Sequence, residues 1–113
     1  MLNWITLTDI KQLPFIKEKS HEKPQVLFKH STRCGVSSIA LKRMEKAGII
    51  PDADFYFIDL LKCRKVSDKI AETFNVYHES PQVLLIKDGK CIYDESHLGI
   101  TMQELAEQIF SLN

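Results

Sequence analysis

The pattern of hydrophobic and polar positions predicts five strands and four helices. Short runs rich in β-branched and aromatic residues predict strands, and they cover residues 2–7, 25–29, 53–59, 82–87 and 90–95. Apolar residues three or four positions apart predict helices, and they cover residues 10–16, 37–47, 64–74 and 101–112. The predicted order is therefore β-α-β-α-β-α-β-β-α.

Helix starts are marked by two capping boxes. Asp9 and Gln12 form the first box, and Pro14 is expected to kink or restart the helix that follows. Thr101 and Glu104 form the second box, at the start of the last helix.

Helix ends and one hairpin turn are marked by residues that tolerate a positive φ. Gly48 is expected to cap the second helix, and Asn75 the third. Asp88 and Gly89 separate the last two strands and are typical of a two-residue hairpin turn. The turn predicts that the last two strands pair in an antiparallel hairpin.

Two βαβ crossovers followed by a hairpin predict an α/β fold with helices on both faces of a mixed sheet. A cysteine, Cys34, lies where a helix starts after a parallel strand, and Pro81 comes just before the first hairpin strand. This arrangement resembles the thioredoxin-like fold, a central mixed five-stranded sheet flanked by four helices. The resemblance implies that the Ser80–Pro81 bond is cis and that Pro81 faces the thiol.

Composition narrows the class of protein. A chain of 113 residues with 44% hydrophobic residues suits one domain, residues 1–113. Fifteen basic residues balance fifteen acidic ones, so we expect no nucleic acid and no membrane as partner. The sequence shows no long apolar run and no signal-like leader, which predicts a cytoplasmic protein. Three widely spaced cysteines predict reduced thiols and no disulfide framework.

Cys34 carries the clearest chemical signal. The unpaired N–H groups and the dipole at a helix start stabilise an anion such as a thiolate. A helix terminus supplies about 0.3–1 kcal/mol and at most about 2, less than the roughly 3.4 kcal/mol needed for a mostly ionised thiol. We therefore expect help from the amides of Val36 and Ser37, the Ser37 hydroxyl and the charge of Arg33. A lone cysteine is more often a small buried apolar residue, but the Ser-Pro-Gln before the next strand favours a nucleophile.

The C-x-x-S spacing of residues 34–37 restricts the chemistry further. A hydroxyl stands where a resolving thiol would lie in C-x-x-C, and Ser37 cannot form a disulfide. A mixed disulfide on Cys34 is therefore expected to persist until an external thiol attacks it. This behaviour suits a transient carrier of a small thiol.

Four sequence blocks, spread over most of the chain, match a known family: HSTRCGVSS (30–38), RKVSDKIAE (64–72), HESPQVLLIKDGK (78–90) and ESHLGIT (95–101). Together they resemble the monothiol bacilliredoxin family. The resemblance implies a thiol-disulfide oxidoreductase of bacillithiol-producing Firmicutes that removes bacillithiol from S-bacillithiolated proteins, with Cys34 as the active-site cysteine. The chain departs from the family pattern at Gly35, where a proline is frequent, and at Leu98, where a tryptophan is frequent.

The resemblance also implies partners. Bacillithiol, which joins cysteine, glucosamine and malate, is the expected co-substrate, and no tightly bound cofactor is expected. S-bacillithiolated client proteins and a reducing system of unknown identity are the other expected partners.

A bacillithiol pocket implies its own set of side chains. Arg33, His30 and Arg64 are candidates for the malate carboxylates, and Arg33 is favoured because it adjoins the thiol. By analogy with the fold, the residue before the cis-proline presents its backbone to the cysteinyl part of the ligand. The implied substrate-binding set is therefore His30, Arg33, Arg64, Ser80, Pro81, Ser96 and His97.

The remaining cysteines and histidines have weaker signals. Cys63 follows a parallel strand and is expected at the same sheet edge as Cys34, which makes it a candidate resolving cysteine. Intervening loop residues count against that role, since a disulfide needs Cα atoms within about 7 Å. Cys91 is expected to be a packed or edge residue, and His21 and His78 to lie in surface loops.

Two other function classes stay open. A monothiol glutaredoxin-like carrier would hold a [2Fe-2S] cluster, although HSTR before Cys34 is not a typical glutaredoxin run. A non-catalytic thioredoxin-like module would carry an inert Cys34. A phosphatase or arsenate-reductase loop is not supported, because Ala40 stands where its arginine belongs. The cysteines lack the paired spacing of a zinc site, so no metal is expected.

Overall fold

The computed structural model describes residues 2–112 and has the predicted order of elements. The strands are β1 (Trp4–Thr6), β2 (Gln25–His30), β3 (Asp54–Asp59), β4 (Gln82–Lys87) and β5 (Lys90–Ser96). The α-helices are α1 (Gln12–Lys19), α2 (Gly35–Glu45), α3 (Arg64–Phe74) and α4 (Met102–Phe110). A single 3₁₀ turn, His97–Gly99, precedes α4 and was not predicted from the sequence.

The five strands form one mixed sheet in the order β1-β3-β2-β4-β5. β3 pairs in parallel with β1 and β2, whereas β4 pairs antiparallel with β2 and β5. In this register His30 lies opposite Asp59, and Lys29 lies opposite Gln82. The ends of β2 and β3 and the start of β4 therefore share one border of the sheet, here called the site edge. The predicted fold class is confirmed.

Each face of the sheet carries its own apolar core. On one face Phe28 and Val83 pack with Met44 of α2 and Leu105 of α4. The other face packs against α1 and α3, with these members among its cluster: Leu13, Ile16, Leu27, Ile58, Val66, Ile70 and Leu84. Because β2 is covered on both sides, all six of its residues are buried.

The predicted turn and cap residues behave as expected at three places. Asn75 ends α3 in the left-handed conformation, with φ of 54°. Asp88 and Gly89 both have positive φ, as a hairpin turn of this type requires. Thr101 Oγ1 accepts a hydrogen bond from the Glu104 N–H at 3.2 Å.

Three boundary predictions are wrong. α1 begins at Gln12 with Lys11 as its N-cap, so the Asp9–Gln12 pair does not cap the helix as predicted. α2 starts at Gly35 and ends at Glu45, two residues earlier at each end than predicted, and Lys46 rather than a left-handed Gly48 caps it. Pro14 does not restart α1, because the helix begins two residues before it. Pro14 lies in the first turn, where a backbone N–H has no partner within the helix.

No helix within residues 2–112 combines the length and the apolar character that crossing a bilayer requires.

Candidate active site

Cys34 lies at the N-cap of α2, directly above the buried strand β2. Its extended backbone (φ −108°, ψ 116°) turns the chain from the strand into the helix. The Cys34 N–H donates to the Ser31 carbonyl at 3.1 Å, and the Cys34 carbonyl accepts from the Ser38 N–H at 3.2 Å. The cysteine is partly exposed. A nucleophile at this position is accessible and is held by backbone hydrogen bonds on both sides.

The first turn of α2 leaves its amides free beside the thiol. Among the described residues, the N–H groups of Gly35, Val36 and Ser37 have no backbone acceptor, and the Cys34 side chain makes no capping hydrogen bond to them. Val36 therefore lies where it was predicted, with its amide available to an anion. Free amides and the helix dipole favour negative charge on the sulfur or on a ligand bound to it.

Ser37 does not use its hydroxyl as predicted. The side chain is fully buried, and its Oγ accepts from the Ser31 N–H at 3.0 Å and lies 2.7 Å from His30 Nδ1. The hydroxyl therefore joins the end of β2 to the first turn of α2 and is not hydrogen-bonded to the Cys34 sulfur. The expected stabilisation of a thiolate by this hydroxyl is corrected to a clamp on the loop that carries Cys34.

His30 is buried and is part of this clamp. The imidazole is only 5% exposed and stacks on Phe28 with ring centroids 6.1 Å apart. Burial lowers the pKa of His30, and the charge of Asp59 opposes the shift in part. A neutral ring can accept the Ser37 hydroxyl proton at Nδ1, which leaves the ring proton on Nε2. This geometry counts against the prediction that His30 binds a substrate carboxylate.

Ser80 and Pro81 border the site on the adjoining strand, and their peptide bond is cis. Pro81 precedes Gln82, the partner of Lys29 in the sheet, so it lies at the site edge beside the loop that carries Cys34. The backbone N–H and C=O of Ser80 make no hydrogen bond within residues 2–112, and its buried hydroxyl also lacks a partner there. The Ser80 backbone therefore has a donor and an acceptor without partners among these residues, whereas its hydroxyl is buried.

The charged side chains around the site are exposed. Arg33 forms no ion pair with any described residue, which leaves its guanidinium available. Arg64 lies at the start of α3, and its Nε is 3.7 Å from Asp68 Oδ1. These two arginines remain candidates for an anionic ligand.

The 3₁₀ turn contacts the segment that contains the cis-proline. The His97 N–H donates to the Pro81 carbonyl at 3.0 Å, and the exposed His97 ring lies 4.0 Å from Glu79. The Ser96 N–H donates to Glu95 Oε1 at 2.8 Å. His97 thus contacts the segment that contains the cis-proline, whereas the Ser96 backbone is engaged with its neighbour.

Neither Cys63 nor Cys91 forms a disulfide with Cys34. Cys63 is the N-cap of α3, on the face of the sheet opposite α2, and all three thiols are free. Burial raises the pKa of Cys91 to about 11, and its Sγ donates to the Tyr93 carbonyl at 3.3 Å. Cys91 is the packed residue that the sequence predicted.

No role was predicted for Lys29 from the sequence, and the predicted surface-loop position of His78 is corrected by the structure, because the His78 ring is partly buried against Lys29 and Ser67. Lys29 is fully buried on the face of β2 opposite His30, and its Nζ lies 3.3 Å from Nδ1 of a partly buried His78. The signal was present in the strand pattern, because every residue of a central strand covered on both faces is buried. A lysine in such a strand needs a buried polar partner.

Within residues 2–112, no three His, Cys, Asp or Glu side chains come close enough together to hold a metal ion.

Comparison with known proteins assigns the chain to a family. Residues 5–105 match the family described as "Monothiol bacilliredoxin BrxC". The chain belongs to the monothiol bacilliredoxin family. The match includes Cys34, Ser37, Ser80 and Pro81, and it confirms the resemblance found in the sequence.

Solved structures agree on the fold. A thioredoxin-fold protein solved as a candidate oxidoreductase is 32% identical, with a TM-score of 0.77, over 91% of this chain and 90% of its own. A thioredoxin of Malassezia sympodialis is 16% identical, with a TM-score of 0.74, over 98% of this chain and 91% of its own. A Fasciola hepatica thioredoxin is 21% identical, with a TM-score of 0.72, over 96% and 98%. This bacilliredoxin therefore has a thioredoxin fold, and family and fold together support a thiol redox function.

Proposed function

We propose that this bacilliredoxin removes bacillithiol from S-bacillithiolated proteins through a mixed disulfide on Cys34. The observation that carries the proposal is the pairing of a partly exposed cysteine at a helix N-cap with a serine at the resolving position, whose hydroxyl is bonded to His30. A single accessible thiol with no second thiol in its own turn can accept a small thiol and retain it.

The first step is a thiol-disulfide exchange. The Cys34 thiolate attacks the bacillithiol sulfur of the client's mixed disulfide. A bond forms between Cys34 and bacillithiol as the bond between bacillithiol and the client breaks. The client leaves as a thiolate and takes a proton from solvent, so the number of disulfides is unchanged.

The second step needs an external thiol. A second bacillithiol, as its thiolate, attacks the bacillithiol sulfur on Cys34 and leaves as bacillithiol disulfide, while Cys34 returns to the thiolate. Each cycle therefore consumes one free bacillithiol thiol and releases one client thiol, and the bacillithiol taken from the client leaves in the bacillithiol disulfide. A separate reducing system is needed to recycle that disulfide.

The free groups around Cys34 support this choice of substrate. Ser80 offers a backbone N–H and C=O that can pair with the cysteinyl part of bacillithiol as an added strand would. The exposed guanidinium of Arg33 suits a malate carboxylate, with Arg64 as a second cation.

The direct test follows the client. An S-bacillithiolated protein is incubated with bacillithiol and either wild type or Cys34→Ala, and the client's intact mass is followed over time. We expect wild type to remove the bacillithiol mass and Cys34→Ala to be inactive, with Cys91→Ala as a matched control that keeps activity. Removal by Cys34→Ala at the wild-type rate, or no removal by wild type, would refute the proposal.

The same assay tests Cys63. Because Cys63 caps a helix on the opposite face of the sheet, we expect Cys63→Ala to turn over at the wild-type rate. A loss of turnover would make Cys63 a resolving thiol.

A further inference from the structure

A buried polar cluster lies beneath the segment that leads to Pro81. Its members are Lys29 of β2, Ser67 of α3, His78 of the α3–β4 loop and Gln82 of β4, and we call it the Lys29 cluster. Lys29 and Ser67 are 0% exposed, and Gln82 is 1% exposed. None of these side chains has a part in the thiol exchange described above.

The cluster holds two consecutive residues of one loop. Lys29 Nζ lies 3.3 Å from His78 Nδ1, and Ser67 Oγ lies 3.0 Å from the same nitrogen. Gln82 Nε2 donates to the Tyr77 carbonyl at 2.8 Å. Three elements of the fold, β2, β4 and α3, therefore each supply a side chain that contacts Tyr77 or His78.

The contact with a charged Lys29 favours a neutral His78. While Lys29 is an ammonium, which has three donors and no acceptor, Nδ1 of His78 is the acceptor and the neutral ring carries its proton on Nε2. Burial lowers the pKa of His78, and the positive charges of Lys29 and Arg64 lower it further, while Asp68 and Glu79 oppose the shift. The electrostatics agree with the geometry.

A lysine is a costly residue for this strand position. A buried ammonium with one neutral acceptor loses hydration, and burial lowers the pKa of Lys29 to about 8, against the attraction of Asp68. An apolar side chain of similar length would fill the same space without that loss. What only the lysine supplies is a charge-assisted hydrogen bond to His78, three positions before Pro81.

We propose that Lys29 is a positioning residue for the redox reaction: by binding His78 it holds residues 76–81 so that the backbone of Ser80 meets the incoming mixed disulfide. The inference rests on the proposed function, because it assigns Ser80 to substrate docking. Lys29 acts through the docking segment and not on the sulfur, since it lies on the opposite face of the sheet from α2.

The test separates docking from thiol reactivity. For the full chain we measure KM and kcat with an S-bacillithiolated client, and the rate at which iodoacetamide alkylates Cys34. Lys29→Met is expected to raise KM about 10-fold, the effect of losing one charge-assisted hydrogen bond, with kcat and alkylation within about twofold of wild type. Lys87→Met is the matched control, because Lys87 donates to the Ser20 and His21 carbonyls, away from the site edge.

Hydrogen exchange of residues 76–82 provides the second readout. We expect faster exchange in Lys29→Met, a smaller increase in Ser67→Ala and none in Lys87→Met. This readout needs no turnover, so it tests the cluster even if wild type fails to remove bacillithiol and the proposed function falls.

Two results would overturn the inference. One is unchanged exchange of residues 76–82 in Lys29→Met, whatever the kinetics. The other is a parallel fall in Cys34 alkylation, which would show that Lys29 acts on the thiol or on the whole fold.

Discussion

Ser37, three residues after Cys34, has a structural role besides replacing a second thiol. Its hydroxyl is bonded to the backbone at the end of β2 and to the ring of a buried histidine. The side chain that prevents an internal disulfide therefore also holds the loop that presents Cys34. Both consequences come from one oxygen atom.

Removing that oxygen should destabilise the fold. Ser37→Ala leaves the Ser31 N–H and His30 Nδ1 without their partner in a buried place, which should lower the free energy of unfolding by about 1–3 kcal/mol. Ser38→Ala is the matched control, because the Ser38 hydroxyl makes no hydrogen bond within residues 2–112. Denaturant unfolding of both variants measures the difference, and equal stabilities would contradict the clamp.

Lys29 should make stability rise with pH above about 8. Its pKa is about 8 in the fold and about 10.4 in an unfolded chain, so the unfolded state binds more protons between these values. The free energy of unfolding should therefore increase through this window, by about 3 kcal/mol at most. Lys29→Met should lack this increase and be more stable than wild type at pH 7. Parallel stability curves for the two proteins would contradict the assignment.

At the residue scale, the sequence predicted which residues carry the chemistry but not which side chains they contact. The C-x-x-S spacing and its position after a buried strand predicted Cys34 and Ser37, and the resemblance to the thioredoxin-like fold implied the free backbone of Ser80. The Ser37–His30 bond and the burial of Lys29 depend on which side chains meet across the sheet and on which face, so the sequence alone did not show them.

At the scale of the element, α2 begins directly after Cys34, which places the thiol at the N-terminus of the helix. Its N-cap is a cysteine, which is outside the usual set of capping residues, so the sequence carried no start signal there. The first residue with clear helical periodicity lies further along, and the predicted start was therefore two residues late. In contrast, α3 matched its prediction at both ends, since its apolar repeat is regular and Asn75 adopts the left-handed cap.

The start of α2 is suited to proline. Gly35 is the first helical residue, its N–H has no acceptor within the described chain, and a Cβ there meets nothing within 4 Å. Cys34 already has the extended backbone that a following proline favours. Gly35→Pro should therefore stabilise the protein by about 0.4–1 kcal/mol by restricting the unfolded chain.

A second proline, one turn further on, provides the contrast. Ser38→Pro removes the N–H that donates to the Cys34 carbonyl and should destabilise the protein by about 3 kcal/mol. Thermal unfolding of both variants checks the pair. A destabilised Gly35→Pro would show that α2 does not begin at residue 35.

At the scale of the whole molecule, the sheet gathers the site from four separate parts of the chain. Cys34, Arg64, Pro81 and His97 each follow or precede a strand at the site edge. The order of strands and helices predicted this gathering, because parallel strands end at a common border. It did not predict which groups stay free there, since the 3₁₀ turn that engages the Pro81 carbonyl has no clear sequence signal.

The most direct test of the central claim is the intact mass of the bacilliredoxin itself after incubation with an S-bacillithiolated client and no other thiol. The account predicts one bacillithiol per chain, mapped to Cys34 and stable until free bacillithiol is added, whereas Ser37→Cys should lose the adduct to an internal disulfide with Cys34. An adduct on Cys63 or Cys91, or a wild-type adduct that disappears without added thiol, would contradict it.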